Sequence, residues 1–386
     1  MAPSKAYDVV IIGAGSVGAP AAFFLAKEGL RTLVIDQFSS PGQGSNKSAI
    51  GGLRATHSDP AKIQLSLRSL DIIANWKSWY GDKLEWHKGG YVFVAYTEKD
   101  ERTFKELLAI QQAFGLNIQW LEAADLLKVV PDLNPRDLIG GTFAPDDGHA
   151  SPLLVSNAFY SQAKRLKAEF RFQEKAIGLD TQGGRICGVR TNKGFYGAEV
   201  VINAAGAWAA DAARLAGSEV PVKPDSHEAA VTEPVARFLE PMIVDVRIAP
   251  GSSNCYFYQH DTGQVIFCIT PDPSLWGYDT RETSRFLPMI SQRMVNLIPR
   301  LKNLRVRRTW RGLYPMTPDG FPIVGWDREA EGYLQAVGMC GQGFMLGPGL
   351  GELLVRMIQK KTTEKDIEVL SYLSPYRTFA RQEQLK

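Results

Sequence analysis

The chain has 386 residues, enough for two or three domains and a sizeable core. Hydrophobic residues make up 45% and charged residues 22%, which argues against disorder and low complexity. Lys and Arg number 44 against 41 Asp and Glu; a net charge of +3 without a basic cluster gives no footprint for a polyanion, so no nucleic-acid partner is expected. Cys187, Cys255, Cys268 and Cys340 form no C-x-x-C pair, so a zinc ribbon, a disulfide framework and a metal site are not expected. Met1 to Asp8 has no apolar signal core, and no unbroken apolar run approaches the roughly 20 residues of a membrane span. The expectation is a cytoplasmic protein.

Tyr7–Ile12 is a short β-rich run, followed by a glycine turn. Val17, Ala21, Phe24 and Leu25 then recur at helical spacing up to Gly29, and Arg31–Ile35 is a second apolar run. Ser39–Gly52 is rich in Gly and Ser. Asp59–Tyr80 carries a helical pattern, Gly90–Ala95 a strand, Lys99–Phe114 an exposed helix and Phe159–Lys167 another. Ile186–Thr191 and Phe195 onward predict a hairpin about Asn192-Lys193-Gly194, and Glu199–Ala205 a buried strand. Alternating aromatic and β-branched residues between about 220 and 310 predict an antiparallel sheet in a second domain. A Gly/Pro-rich stretch (Arg311–Gly325), a strand (Tyr333–Val337), a loop (Gly338–Gly349) and a helix from about Leu350 to Lys360 complete the chain.

Gly13-Ala14-Gly15-Ser16-Val17-Gly18 is G-x-G-x-x-G in the context it requires, after a strand and opening a helix. Gly13 permits the tight turn, Gly15 lets the backbone approach a pyrophosphate, and Gly18 allows helix to pack on strand. Asp36 ends the second strand, where a carboxylate can accept from a ribose hydroxyl. This motif alone does not separate NAD from FAD.

Four further segments narrow the choice. Ser45-Asn46-Lys47-Ser48 with Gly51-Gly52-Leu53-Arg54, Val201–Trp208, Thr317-Pro318-Asp319-Gly320-Phe321-Pro322-Ile323-Val324-Gly325, and Gly338–Phe344 together resemble the D-amino-acid-oxidase-type flavoproteins. Within them the chain is similar to the branch holding the β-subunits of sarcosine oxidase and dye-linked L-proline dehydrogenase. The resemblance implies an α/β (α+β) architecture, with a Rossmann-like FAD-binding domain (1–80, 145–220, 311–386) interleaved with a β-rich antiparallel substrate domain (81–144, 221–310). It also implies oxidation of the C–N bond of an amino or imino acid by hydride transfer to flavin N5.

The cofactor contacts implied are Gly13, Gly15, Ser16, Val17, Gly18, Asp36, Gln37, Ser45, Lys47, Ser48, Gly52, Leu53, Ala176, Ala205, Gly206, Trp208, Arg311, Gly341, Gln342, Gly343, Phe344 and Met345. Backbone donors and the helix dipole after Gly341–Phe344 suit the negative charge that reduction places near flavin N1 and C2=O.

Arg54 resembles the family's arginine in the loop beside the flavin, which implies a carboxylate anchor or flavin-side cation, and a guanidinium fork matches a carboxylate. His227 and Tyr256 match positions that line the cavity in the proline dehydrogenase branch, and the resemblance implies His227 as proton acceptor or polarising group and Tyr256 as a carboxylate donor. His57 is held in reserve, a lone histidine being more often structural. Tyr314 stands where glycine-oxidase-like relatives carry an arginine, and Gly312 where a covalent flavin cysteine would sit, so FAD is expected to be non-covalent. The strand Gly263–Phe267 lacks the lysine that assists O₂ in the family's oxidases, which leans towards a dehydrogenase with another electron acceptor or a partner subunit. An NAD(P)-dependent dehydrogenase and a non-catalytic flavin-binding subunit remain alternatives.

Overall fold

A computed structural model describes residues 6–385. The first five residues of the Met1–Asp8 segment lie outside the described residues. Two eight-stranded sheets and a two-stranded ribbon organise the chain. The first sheet runs Ile323–Trp326, Tyr333–Val337, Phe195–Asn203, Ala6–Ile12, Thr32–Ile35, Glu169–Arg171. Neighbours in this order are parallel except the terminal pair Ile323–Trp326/Tyr333–Val337, and Arg185–Thr191 and Ala176–Gln182 complete the sheet as antiparallel additions beside Phe195–Asn203. The hairpin at 192–194 is present, Arg185–Thr191 pairing antiparallel with Phe195–Asn203. Helices Gly18–Lys27, Pro60–Tyr80, Pro152–Arg165 and Gly343–Ile358 pack with this sheet around one apolar core.

The second sheet runs Val306–Met316, Lys223–Thr232, Val265–Pro271, Ser252–Gln259, Met242–Asp245, Tyr91–Ala95, Gly140–Ala144, Gln119–Glu122. It is antiparallel but for Met242–Asp245 beside Tyr91–Ala95. Phe286–Leu297 covers it, joining a separate core with Phe257 and Phe267.

Local chemistry explains the boundaries. Asp59 caps Pro60–Tyr80 by accepting from the N–H groups of Ala61 (3.0 Å) and Lys62 (3.2 Å), with Pro60 at the first helical position. Gly81 ends that helix at φ +83°, where only glycine is unstrained.

Two expectations are corrected. Arg311–Met316 is not a Gly/Pro-rich connection but the second half of the edge strand Val306–Met316, so the expected division at 310/311 falls inside a strand. The last long helix starts at Gly343 rather than near Leu350. Its glycines are there for close approach: a Cβ on Gly347 would lie 1.8 Å from the Ser16 carbonyl oxygen, and one on Gly349 2.4 Å from that of Leu65. Pro348 lies inside the helix, and the Gly349 N–H donates to Ser69 Oγ at 2.9 Å. Among the described residues no helix is long and apolar enough to cross a membrane.

Candidate active site

A cavity of about 510 Å³ runs between the two sheets. At one end lie Gly13, Gly15–Val17, Asp36, Gln37, Ala176, Ala205, Gly206 and Trp208; at the other lie Arg54, Tyr91, His227, Tyr256 and Tyr314. Gly341–Met345 lines it as well.

The glycine turn has the shape its sequence implies. Gly13 has φ +109°, and a Cβ there would come within 2.4 Å of the Ala204 carbonyl oxygen. Nothing stands within 4 Å of a Cβ on Gly15, so that backbone faces open space. Asp36 Oδ2 accepts from the Ala14 N–H (2.7 Å) and Oδ1 from the Phe38 N–H (2.8 Å). Each oxygen keeps a lone pair for a further donor. Burial raises the Asp36 carboxyl, and the two backbone donors offset only part of that rise.

The turn Gly15–Val17 that leads into Gly18–Lys27 and the first turn of Gly343–Ile358 both line this cavity, and neither helix has a side-chain cap or an acidic residue in its first turn. Ser45 Oγ and Gln342 Oε1 are buried without a hydrogen-bond partner and border the same space. Uncapped helix N-termini, an open glycine turn, a carboxylate with free lone pairs and two orphaned polar atoms fit a dinucleotide. When bound, FAD supplies a two-electron acceptor for a hydride. Gly312 is crowded: a Cβ there would sit 2.5 Å from Ser48 Cβ, leaving no room for a side chain that could attach a flavin.

The far end is built from adjacent strands. Register places Asp225 opposite Tyr314 and His227 opposite Gly312. Cross-strand partners share a face, so His227 and Tyr314 meet on the cavity side and stack at 3.7 Å and 12°. His227 Nε2 lies 3.2 Å from Asp225 Oδ2, whereas its Nδ1 is buried without a partner. Asp225 therefore favours the tautomer that carries hydrogen on Nε2 and leaves the Nδ1 lone pair open. Burial raises the Asp225 carboxyl, but His227 and further donors more than offset it and hold it below the usual value. The hydroxyls of Tyr256 and Tyr314 are 2.6 Å apart. Burial pushes both phenols well up, so both stay neutral. The Tyr314 ring also covers Gly341, where a Cβ would meet it at 2.1 Å.

Arg54 does not present an open fork. Nη1 donates to the Thr56 carbonyl and Nη2 to that of Leu385 at 2.7 Å, with His57 Nδ1 3.2 Å from Nη1. Asp147 lies beneath it, its carboxylate accepting from the Ala55 N–H (2.9 Å) and Thr56 Oγ1 (2.8 Å). His57 is fully buried against Ser66 Oγ at 3.0 Å, and burial, then Arg54 and Lys62, hold it neutral.

Four expected cofactor contacts are off the cavity wall. Gly18 is consumed by packing, a Cβ there falling 1.9 Å from the Gly13 carbonyl oxygen. Leu53 is buried in the apolar core, and Lys47 is exposed. Arg311 alternates to the sheet face opposite Gly312 and donates to the Arg281 carbonyl at 3.0 Å. Conversely, Asp225, Tyr91, Cys268 and Asp147 were not anticipated. The first three follow from cross-strand register, which no local motif records.

A family model described as FAD dependent oxidoreductase (DAO) matches residues 8–357. The chain belongs to this family. It is therefore an FAD-dependent oxidoreductase, and the nicotinamide alternative falls away. Among curated relatives, the hydrogen cyanide synthase subunit HcnC of Pseudomonas aeruginosa is 28% identical over 94% of this chain and 95% of that protein. Glycine oxidase of Bacillus subtilis is 26% identical over 93% and 95%. Among solved structures, L-proline dehydrogenase from P. horikoshii superimposes with a TM-score of 0.90 at 31% identity, covering 97% of this chain and 98% of that one. The DAO family thus accounts for the Thr317–Gly325 and Gly338–Phe344 segments, which the nicotinamide alternative left without a role.

Proposed function

We propose that this chain oxidises the C–N bond of a small amino or imino acid of the proline, sarcosine or glycine kind, with FAD held non-covalently. The observation that carries this is one cavity joining the glycine turn and Asp36 to a second-sheet cluster of Arg54, His227, Tyr256 and Tyr314. In that cluster His227 Nδ1 accepts from the substrate amine. One tyrosine hydroxyl donates to its neighbour, which leaves the neighbour's O–H free for the substrate carboxylate. Arg54 supplies the positive potential that keeps the carboxylate in place. The proline dehydrogenase and glycine oxidase likenesses support this substrate class. The likeness to a hydrogen cyanide synthase subunit supports a partner subunit.

The domain division offered is the first sheet with its helices for the cofactor and the second sheet for the substrate, with the strand Val306–Met316 counted in the second. Anaerobic addition of L-proline, sarcosine or glycine to the purified yellow protein is expected to bleach the flavin band with at least one of them. Retention of the full oxidised spectrum across a panel of D-, L- and N-methyl amino acids would overturn the assignment in favour of a non-catalytic flavin-binding subunit.

A further inference from the structure

Behind the cavity wall, three separate segments bring His87, His149 and Asp261 together, with one possible ligand atom from each lying within 4.8 Å of the others. His149 is only 1% exposed, and neither of its ring nitrogens has a hydrogen-bond partner. Buried polar groups are satisfied in the great majority of cases, so an imidazole with two orphaned nitrogens points to a missing ligand. The backbone holds it firmly: the His87 N–H donates to the His149 carbonyl (2.8 Å) and the His149 N–H to that of His87 (3.0 Å). Asp261 sits in the turn closed by the Gly263 N–H on the His260 carbonyl at 2.8 Å.

The electrostatics fit a cation. A neutral His149 imidazole offers the lone pair of one ring nitrogen, and no protein group occupies it. His87 Nδ1 lies 3.2 Å from Asp261 Oδ1, and His87 Nε2 lies 2.8 Å from Glu240 Oε1. A carboxylate that accepts Nε2–H leaves Nδ1 for a metal, the usual outer-sphere arrangement for a ligating histidine. The guanidinium of Arg237 shares the cluster, donating to Asp261 Oδ1 at 2.6 Å and Glu240 Oε2 at 2.9 Å, with Nη2 2.7 Å from His87 Nε2. Its side chain is 34% exposed, so it has room to withdraw towards solvent. Two imidazoles and one carboxylate suit Zn²⁺ and its imidazole-preferring neighbours.

We propose that His87, His149 and Asp261 form a divalent transition-metal site, separate from the flavin cavity, in which the bound ion displaces Arg237. Its role is to brace the cavity wall. His149 pairs with Gly52, and Tyr258, whose ring lies 4.2 Å from that of His149, donates to the Ile50 carbonyl at 2.5 Å. Ile50, Gly51 and Gly52 all line the cavity.

The test uses FAD-loaded, chelator-treated protein in a Cys187→Ser background, because Cys187 is an exposed thiol. Calorimetric titration with Zn²⁺ is expected to show one site per chain and a raised melting temperature. His87→Gln and Asp261→Asn should each weaken binding by about tenfold or more while keeping the flavin, the usual penalty for disturbing such a site. Arg237→Gln should tighten binding severalfold. The proposal is overturned if no saturable binding occurs below millimolar Zn²⁺, or if binding is unchanged in both His87→Gln and Asp261→Asn.

Discussion

Asp147 shows how one buried group shapes the candidate anchor. It is fully buried, and burial pushes its carboxyl up to about 6 despite the Ala55 and Thr56 donors and the charge of Arg54. An unfolded Asp titrates near ~3.9, so the folded state is favoured while the group is protonated. That stability is complete below about pH 4 and is lost as pH rises through about 6. Asp147→Asn removes the titration. Denaturant unfolding should show wild type losing about 2–3 kcal/mol relative to the variant between about pH 4 and pH 7, a two-unit shift being worth that much. A difference that is flat with pH would show that Asp147 ionises without penalty. At this scale the sequence was legible wherever the chemistry is local. Gly13, Gly15 and Asp36 lie within one strand–turn–helix–strand unit, and each stands where its motif implies. Asp147 is 92 residues from the Ala55 N–H it accepts, and Asp225 serves His227 through strand geometry, so neither left a mark in a motif.

Elements were legible by period and obscured by glycine. The run Gly338–Gly349 reads as a loop because glycine disfavours a helix by about 1 kcal/mol per residue. In the folded chain that cost is offset by packing: Gly347 brings the helix Gly343–Ile358 against the Ser16 carbonyl, so two helix N-termini converge on the same cavity. Propensity was overridden by tertiary contact. Gly347→Ala would place a methyl 1.8 Å from a backbone oxygen, which side-chain movement cannot relieve. Overpacking typically costs about 1–3 kcal/mol, and this site should reach at least the upper end because both partners are backbone. The expected outcome is a lower melting temperature together with loss of flavin from the purified protein. Gly194→Ala, where nothing lies within 4 Å of the new methyl, is the control and should behave as wild type. A Gly347→Ala protein that keeps both its flavin and its melting temperature would show that the two helices have slack.

Across the whole molecule, the segment following the helix Glu364–Leu373 ties the parts together. Arg377 pairs with Asp319 at 2.7 Å, Arg381 with Asp59 at 2.7 Å, and Glu383 with Lys62 at 2.5 Å, before the Leu385 carbonyl meets Arg54. Leu385 then packs with Tyr91, Phe93 and Val244 of the second sheet. The Thr317–Gly325 motif, which resemblance associates with the flavoprotein family, thus also holds this segment through Asp319. Burial raises the Glu383 carboxyl, but the Lys62 ammonium, with the Ser58 hydroxyl, pulls it far below the ordinary range. Removing one partner of such a buried pair leaves an uncompensated charge and costs about 3–5 kcal/mol, whereas replacing both by apolar groups is often neutral. Glu383→Gln leaves the buried Lys62 ammonium with the Gly320 carbonyl at 2.8 Å but without its paired carboxylate. It should therefore lose about that much stability and expose the terminal segment to limited proteolysis. The double change Lys62→Met with Glu383→Leu should recover most of the loss, because no charge is left unpaired. If Glu383→Gln costs under about 1 kcal/mol, the pair behaves as a solvated surface bridge, and the segment is held by Arg377 and Arg381 instead.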